Sequence, residues 1–275
     1  MTGSVRPRRG DPGSALRALA VAILAVAVVA TSYVIFVRTA GAQRLDQVAG
    51  SHLGQSTPTP GTLTTLLHGV TVGLIALGLG LSVVIAVARR RRALAAGALA
   101  IVAGANLTTQ GLKNVVLTRP DYGYGSRNSF PSGHITVIAS LVLAALLVMP
   151  RGARWLVQLG GSLGVAVTGV GLVVAGWHRP SDVVAGLGVT LAWGAFVLAV
   201  ISTAGVDESP GRPRSHPIAL LVGLVVAAAF FIAVGVRPDE TLADLVVLAV
   251  TMPALAVAGA LAIGIFARLV DARVA

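Results

Sequence analysis

Eight stretches of about 20 predominantly apolar residues run along this chain, and no other feature restricts its fold so tightly. They lie at about 15–37, 63–88, 93–117, 133–149, 156–177, 182–203, 217–236 and 243–269. In hydrocarbon every backbone N–H and C=O must be satisfied within its own segment, so each stretch is predicted to be an α-helix. The expected fold class is therefore an all-α, polytopic membrane helix bundle. The fourth stretch is short for a full crossing, and its neighbours require it either to extend into its flanks or to sit in a locally thinned bilayer. Hydrophobic residues make up 55% of the chain, charged residues 11%, and mean hydropathy is +0.87, which excludes an ordinary soluble domain.

Arginine placement orients the bundle. If all eight stretches cross, Arg6, Arg8, Arg9, Arg17, Arg89 to Arg92, Arg151, Arg154, Arg212, Arg214, Arg268 and Arg273 share one side. By the positive-inside rule that side is the cytoplasm, so both termini are expected there, with the chain in the plasma membrane. The opposite side holds Arg38, Arg44, Arg119, Arg127, Arg179 and Arg237. The net charge of +11 then reflects topology and contact with anionic headgroups; no basic patch interleaved with aromatics points to nucleic acid. The absence of cysteine excludes disulfides and thiolate metal sites.

The composition also divides the chain. Residues 1–14 read as a cytoplasmic tail, 15–203 as a six-helix membrane domain, 204–216 as a cytoplasmic loop and 217–275 as a two-helix appendage. Ala40-Gly41-Ala42 resembles a signal-peptide cleavage pattern, but the apolar core before it is too long for a typical signal peptide, so the first stretch reads as a retained helix. Residues 38–62, rich in Gln, Ser, Thr and Pro, are expected as an outer loop with at most a short interfacial helix. No internal repeat suggests a transporter built from duplicated halves.

Chemistry concentrates at the outer ends of the third to sixth stretches. Lys113 is the only lysine, and it shares a predicted helix face with Asn106 and Gln110, a face expected to point into the bundle. Snorkelling to headgroups is the bland alternative for Lys113. Pro120 ends that helix and places Arg119 at the outer surface. Pro131-Ser132-Gly133-His134 then precedes the fourth stretch: Ser132 is a candidate helix cap, Gly133 allows close backbone approach, and free N–H groups there would hold an anion. His178 closes the fifth stretch, and Asp182, four residues on, is near enough to accept a hydrogen bond from its imidazole. Asp121 reads as a turn residue, His68, Trp155 and Trp177 as interfacial, and Gly160 with Gly164 as a close helix contact.

Over residues 106 to 190 this arrangement resembles the type 2 phosphatidic acid phosphatase superfamily, which includes bacterial lipid phosphatases and is related to vanadium haloperoxidases. Its three blocks are Lys, six residues, Arg-Pro; Pro-Ser-Gly-His; and Ser-Arg, five residues, His, three residues, Asp. The second block is intact here, and His178-Arg179-Pro180-Ser181-Asp182 supplies the His and Asp of the third. Two departures stand out. Five residues rather than six separate Lys113 from Arg119, and Gly171-Leu172 replaces Ser-Arg, with no arginine between Trp155 and His178. One phosphate clamp is missing. Arg179 and Arg127, on the same side, each read equally as a compensating cation or as a solvated loop charge.

The resemblance implies His178 as nucleophile toward phosphorus, Asp182 fixing its tautomer, His134 as general acid and then base, and Lys113, Arg119 and the Ser132-Gly133 backbone as phosphate holders. It implies no cofactor and no metal. The expected substrate is an amphiphilic lipid phosphate whose tail stays in the bilayer, such as a polyprenyl phosphate or diphosphate, phosphatidic acid or phosphatidylglycerol phosphate. A catalytically weak relative that binds headgroups or scaffolds, and a transporter or flippase, are the other functions that fit. Restoring the clamp with Leu172→Arg is expected to raise activity only if the pocket keeps the family geometry. The arginine, alanine and valine bias is what a GC-rich bacterial genome produces.

Overall fold

Asp11 starts the first helix: its Oδ1 accepts the Gly13 N–H at 2.9 Å, and Pro12 occupies the first helical position, where a missing N–H costs nothing. The structure, a computed structural model, describes residues 11–54, 72–204, Val225 and 242–272. Among these the chain forms eight α-helices and no strand. They are α1 Pro12–Ser32, α2 Ala40–Gly54, α3 Val72–Ala88, α4 Arg92–Gly111, α5 Gly133–Val148, α6 Arg151–Val174, α7 Pro180–Thr203 and α8 Leu242–Ala272. Two of them run on into π-helical turns, Tyr33–Val37 after α1 and Leu112–Val116 after α4.

Five of these segments are long and apolar enough to cross a membrane: Pro12–Val37, Arg92–Val116, Arg151–Val174, Pro180–Thr203 and Ala249–Ala272. They match five of the eight expected crossings. The described part of α3 and the 16-residue α5 are apolar but shorter, the latter as its sequence predicted. Apart from Val225, the stretch at 217–236 lies outside the described residues, as do His68, Arg6, Arg8, Arg9, Arg212, Arg214, Arg237 and Arg273. The molecule is a membrane helix bundle.

Helices α5 and α7 form its centre. Helix α7 packs against α1, α4, α5 and α8, while α5 is enclosed by α3, α4, α6 and α7. Leu143, Leu147, Val170, Leu198 and Phe266 share one buried apolar cluster, so α8 contributes to the same core as the helices before it. Lipid-facing residues look the opposite way, with Leu107 73% and Val115 82% exposed.

Small residues set the closest approaches, though not those expected. Nothing lies within 4 Å of a Cβ built on Gly160 or Gly164, whereas one built on Gly161 would run into Val142 of α5. One residue along a helix turns the side chain by about 100°, so a glycine pattern read one position off points at lipid instead of at a neighbour. Gly186 of α7 matters most for the site: a Cβ there would meet Ile135 and lie 2.8 Å from the Ser132 carbonyl oxygen. Its bare backbone lets the start of α5 lie directly on α7.

Residues 40–54 depart from expectation. The expected outer loop contains the 15-residue α2, whose inner face is polar: Gln43, Asp46 and Gln47 recur at helical spacing and turn toward the bundle. Helix α2 packs against α6, α7 and α8.

Candidate active site

The end of α6 delivers His178. Gly176, at φ +67°, takes the left-handed conformation that follows a helix end; its N–H donates to the Val173 carbonyl at 2.9 Å and the Trp177 N–H to the Leu172 carbonyl at 3.0 Å. This paired cap turns the chain sharply, and His178 and Asp182, at the start of α7, meet across one helical turn. His178 Nδ1 lies 3.4 Å from Asp182 Oδ2.

Asp182 is fully buried and heavily bonded. Its Oδ2 accepts the Ser129 hydroxyl at 2.6 Å and the Arg179 N–H at 3.0 Å; its Oδ1 accepts Arg119 Nη2 at 3.0 Å. The Ser132 N–H donates to the Asp182 backbone carbonyl at 2.9 Å, which ties the start of α5 to the start of α7. His134, on the first turn of α5, is thereby held beside His178: the ring centroids are 5.7 Å apart, edge to face at 70°. Trp177 also packs against His134, with ring centroids 5.6 Å apart.

Both histidines open into a cavity of about 660 Å³ that is also lined by Lys113, Arg127 and Arg179. Lys113 sits in the π-helical turn at the end of α4, where the Leu117 N–H bonds five residues back to Leu112 and the widened turn changes the helical register. The expected single polar face is divided already within α4. Asn106 donates to Ser140 of α5 at 3.2 Å, whereas Gln110 is exposed, with its amide above Gly133. Asn128 donates to the Lys113 and Leu117 carbonyls, both at 2.9 Å, fixing the loop that closes the cavity. Asp121 forms the expected turn, accepting the Gly123 and Gly125 N–H groups.

Thus Lys113, Arg127, His134, His178 and Arg179 share the cavity, while Arg119, Ser132 and Asp182 stand behind it. Arg119 is not at the surface but 4% exposed, and burial holds its guanidinium below the usual arginine value. Among the described residues its Nε and Nη1 have no hydrogen-bond partner. Ser132 does not cap α5: its Oγ is buried without a partner, and its N–H is committed to Asp182. Leu172, where the family has arginine, is fully buried in the main apolar cluster.

Several contributors had no motif to reveal them. Trp177, expected only at the interface, lines the cavity against His134. Ser129 binds Asp182, Gln47 accepts from Arg179 Nε at 2.8 Å, and Asp46 accepts from both the N–H and the hydroxyl of Ser181. For Gln43, Asp46 and Gln47 the available signal was their helical spacing within a segment otherwise loop-like in composition. Burial, followed by the nearby charge of Asp182, pushes Asp46 up to about 7. No group of three or more His, Cys, Asp or Glu side chains that could hold a metal occurs among the described residues.

No match to a curated protein or to a solved structure reaches significance. Residues 94–205, the segment that carries Lys113, the Pro131–His134 tetrapeptide and the His178–Asp182 pair, match the family model described as the PAP2 superfamily. Over this helical core the chain is similar to that superfamily, the type 2 phosphatidic acid phosphatases, and the match supports that assignment.

Proposed function

We propose that the cavity hydrolyses an amphiphilic phosphate or diphosphate ester through a phosphohistidine. The observation that carries this reading is the pairing of His178, oriented by Asp182, with His134 at 5.7 Å in one cavity with three cations. With Nδ1–H directed to the Asp182 carboxylate, His178 Nε2 keeps its lone pair for in-line attack on phosphorus. As the bond from phosphorus to the leaving oxygen breaks, His134 donates a proton to that oxygen. His134 then takes a proton from water, whose oxygen attacks phosphorus and breaks the P–N bond, releasing phosphate and restoring His178. Lys113, Arg127 and Arg179 balance the phosphoryl charge, and Arg119 acts from behind Asp182.

A lipid phosphate suits this site because the cavity lies at one end of apolar helices, where a headgroup can enter while its tail stays among lipids. In this reading the cavity faces outward from the plasma membrane and both termini are cytoplasmic, in keeping with the arginine asymmetry. Residues 15–203 form the phosphatase-like unit, and α8 packs against it.

The test is turnover of a panel of lipid phosphates by purified protein, without divalent metal, compared with His178→Ala. Loss of essentially all turnover in the variant supports the reading; equal rates reject it. A second reading, a headgroup-binding relative with weak catalysis, is favoured by Leu172 in the apolar core and by Arg119 behind the cavity. It requires phosphate binding with no His178-dependent turnover.

A further inference from the structure

Helix α2 exposes Leu45 at 60% and buries Gln43 and Asp46. This is the reverse of an ordinary amphipathic helix, whose apolar stripe faces the core. Burying polar groups is unfavourable unless they are hydrogen-bonded, so the inner face of α2 is held chiefly by specific bonds, beside the buried Ala49; among the described residues only the Gln43 Oε1 on this face lacks a partner. Gln43 donates to the Val37 and Pro120 carbonyls, and Asp46 grips Ser181 at the first turn of α7. One turn further round the same face, Gln47 reaches the cavity wall and accepts the Nε–H of Arg179 at 2.8 Å.

Arg179 is thus fixed at both ends of its guanidinium. Besides Gln47, it donates through Nη2 to the Tyr124 carbonyl at 3.1 Å and through Nη1 to Ser129 Oγ at 3.4 Å. Three of five N–H donors are engaged, which leaves two for a ligand among the described residues. A solvated loop arginine would lose side-chain entropy by adopting such a geometry; a phosphate clamp gains from being pre-organised. The residue at the family's usual clamp position, Leu172, is buried in the apolar core and cannot serve.

We infer that Gln47 is a positioning residue: it holds Arg179 in the cavity as the replacement for the missing clamp, making α2 one wall of the phosphate pocket. This rests on the phosphatase reading of the cavity. The probe is orthovanadate, a phosphate mimic, bound to the detergent-purified full chain, alongside turnover of a short-chain phosphatidate. Gln47→Met keeps the bulk of the side chain and removes the acceptor.

The expected result is vanadate affinity and kcat/KM each lower by roughly tenfold in Gln47→Met, the scale of one hydrogen bond to a charged group, at an unchanged thermal midpoint. Arg179→Lys, which keeps the charge but has no Nε donor, should fall to a similar level. In an Arg179→Ala background, Gln47→Met should have no further effect, because its action passes through the arginine. Independent, multiplying losses would overturn the inference, since a purely structural role for Gln47 persists without Arg179. Unchanged affinity in Gln47→Met, or no vanadate binding by the wild type, would also overturn it. If the wild type binds vanadate but shows no His178-dependent turnover, the phosphatase reading fails, while the vanadate series still decides the role of Gln47.

Discussion

Arg119 Nη2 lies 3.0 Å from Asp182 Oδ1, with both side chains fully enclosed. The carboxylate that meets His178 Nδ1 therefore also neutralises a buried guanidinium. Removing one member of such a pair leaves an uncompensated charge, which typically costs about 3–5 kcal/mol. Asp182→Asn should abolish turnover and also lower the thermal midpoint sharply. Adding Arg119→Met should recover much of the stability and none of the activity, measured by thermal unfolding and phosphate release. Full stability in the single variant would contradict the pairing.

Leu172→Arg should not restore a clamp. The side chain is fully buried in the main apolar cluster, which offers a guanidinium no water. An unpaired buried charge is expected to cost several kcal/mol, so the variant should express poorly or unfold early. Leu172→Met, which conserves volume, should remain within about 1.5 kcal/mol of wild type. Higher turnover in Leu172→Arg would mean that α6 is packed differently.

The Asp46 carboxyl makes stability depend on pH. Its ordinary value of 3.8 is pushed up to about 7 by burial and then by the charge of Asp182, with the Ser181 bonds and Arg119 acting in the opposite direction. The folded chain therefore keeps a proton that the unfolded chain has already released, and stability falls as pH rises from about 4 to about 7, levelling above that. Asp46→Asn can bond Ser181 through its own oxygen and amide without the charge. Thermal midpoints across pH 5 to 8 should show a decline in wild type that is weaker in the variant, with the variant a few degrees more stable at pH 8. Parallel curves would refute this.

Gly186→Ala should damage the site from a distance. The added methyl would press on Ile135 and the Ser132 carbonyl, pushing the start of α5, and His134 with it, away from α7. Overpacking of this kind costs about 1–3 kcal/mol, and kcat should fall with it. Gly160→Ala and Gly164→Ala, with open space around them, should stay within about 0.5 kcal/mol of wild type. The three midpoints and three rates check the contrast.

Local sequence carried the frame of this protein. Continuous apolar stretches specify helices in a membrane because hydrocarbon leaves the backbone no other partner, and five of them stand where the hydropathy placed them. The tetrapeptide before α5 and the spacing of His178 and Asp182 were also legible, since four residues span one helical turn. The helix in 40–54 was obscured because its buried face is polar, so hydropathy reported a loop.

The sequence by itself determined the membrane helices, the two histidines near their ends and the absence of an arginine at position 172. Only the tertiary structure decided that Arg119 turns inward to Asp182, that Gln47 meets Arg179, that Asp46 meets Ser181, and that Gly161 rather than its neighbours touches α5. The physical reason is separation along the chain. Periodicity records which side of a helix avoids water or lipid, but the partner of a buried polar group 63 or 132 residues away depends on how whole helices pack, and no local spacing encodes that.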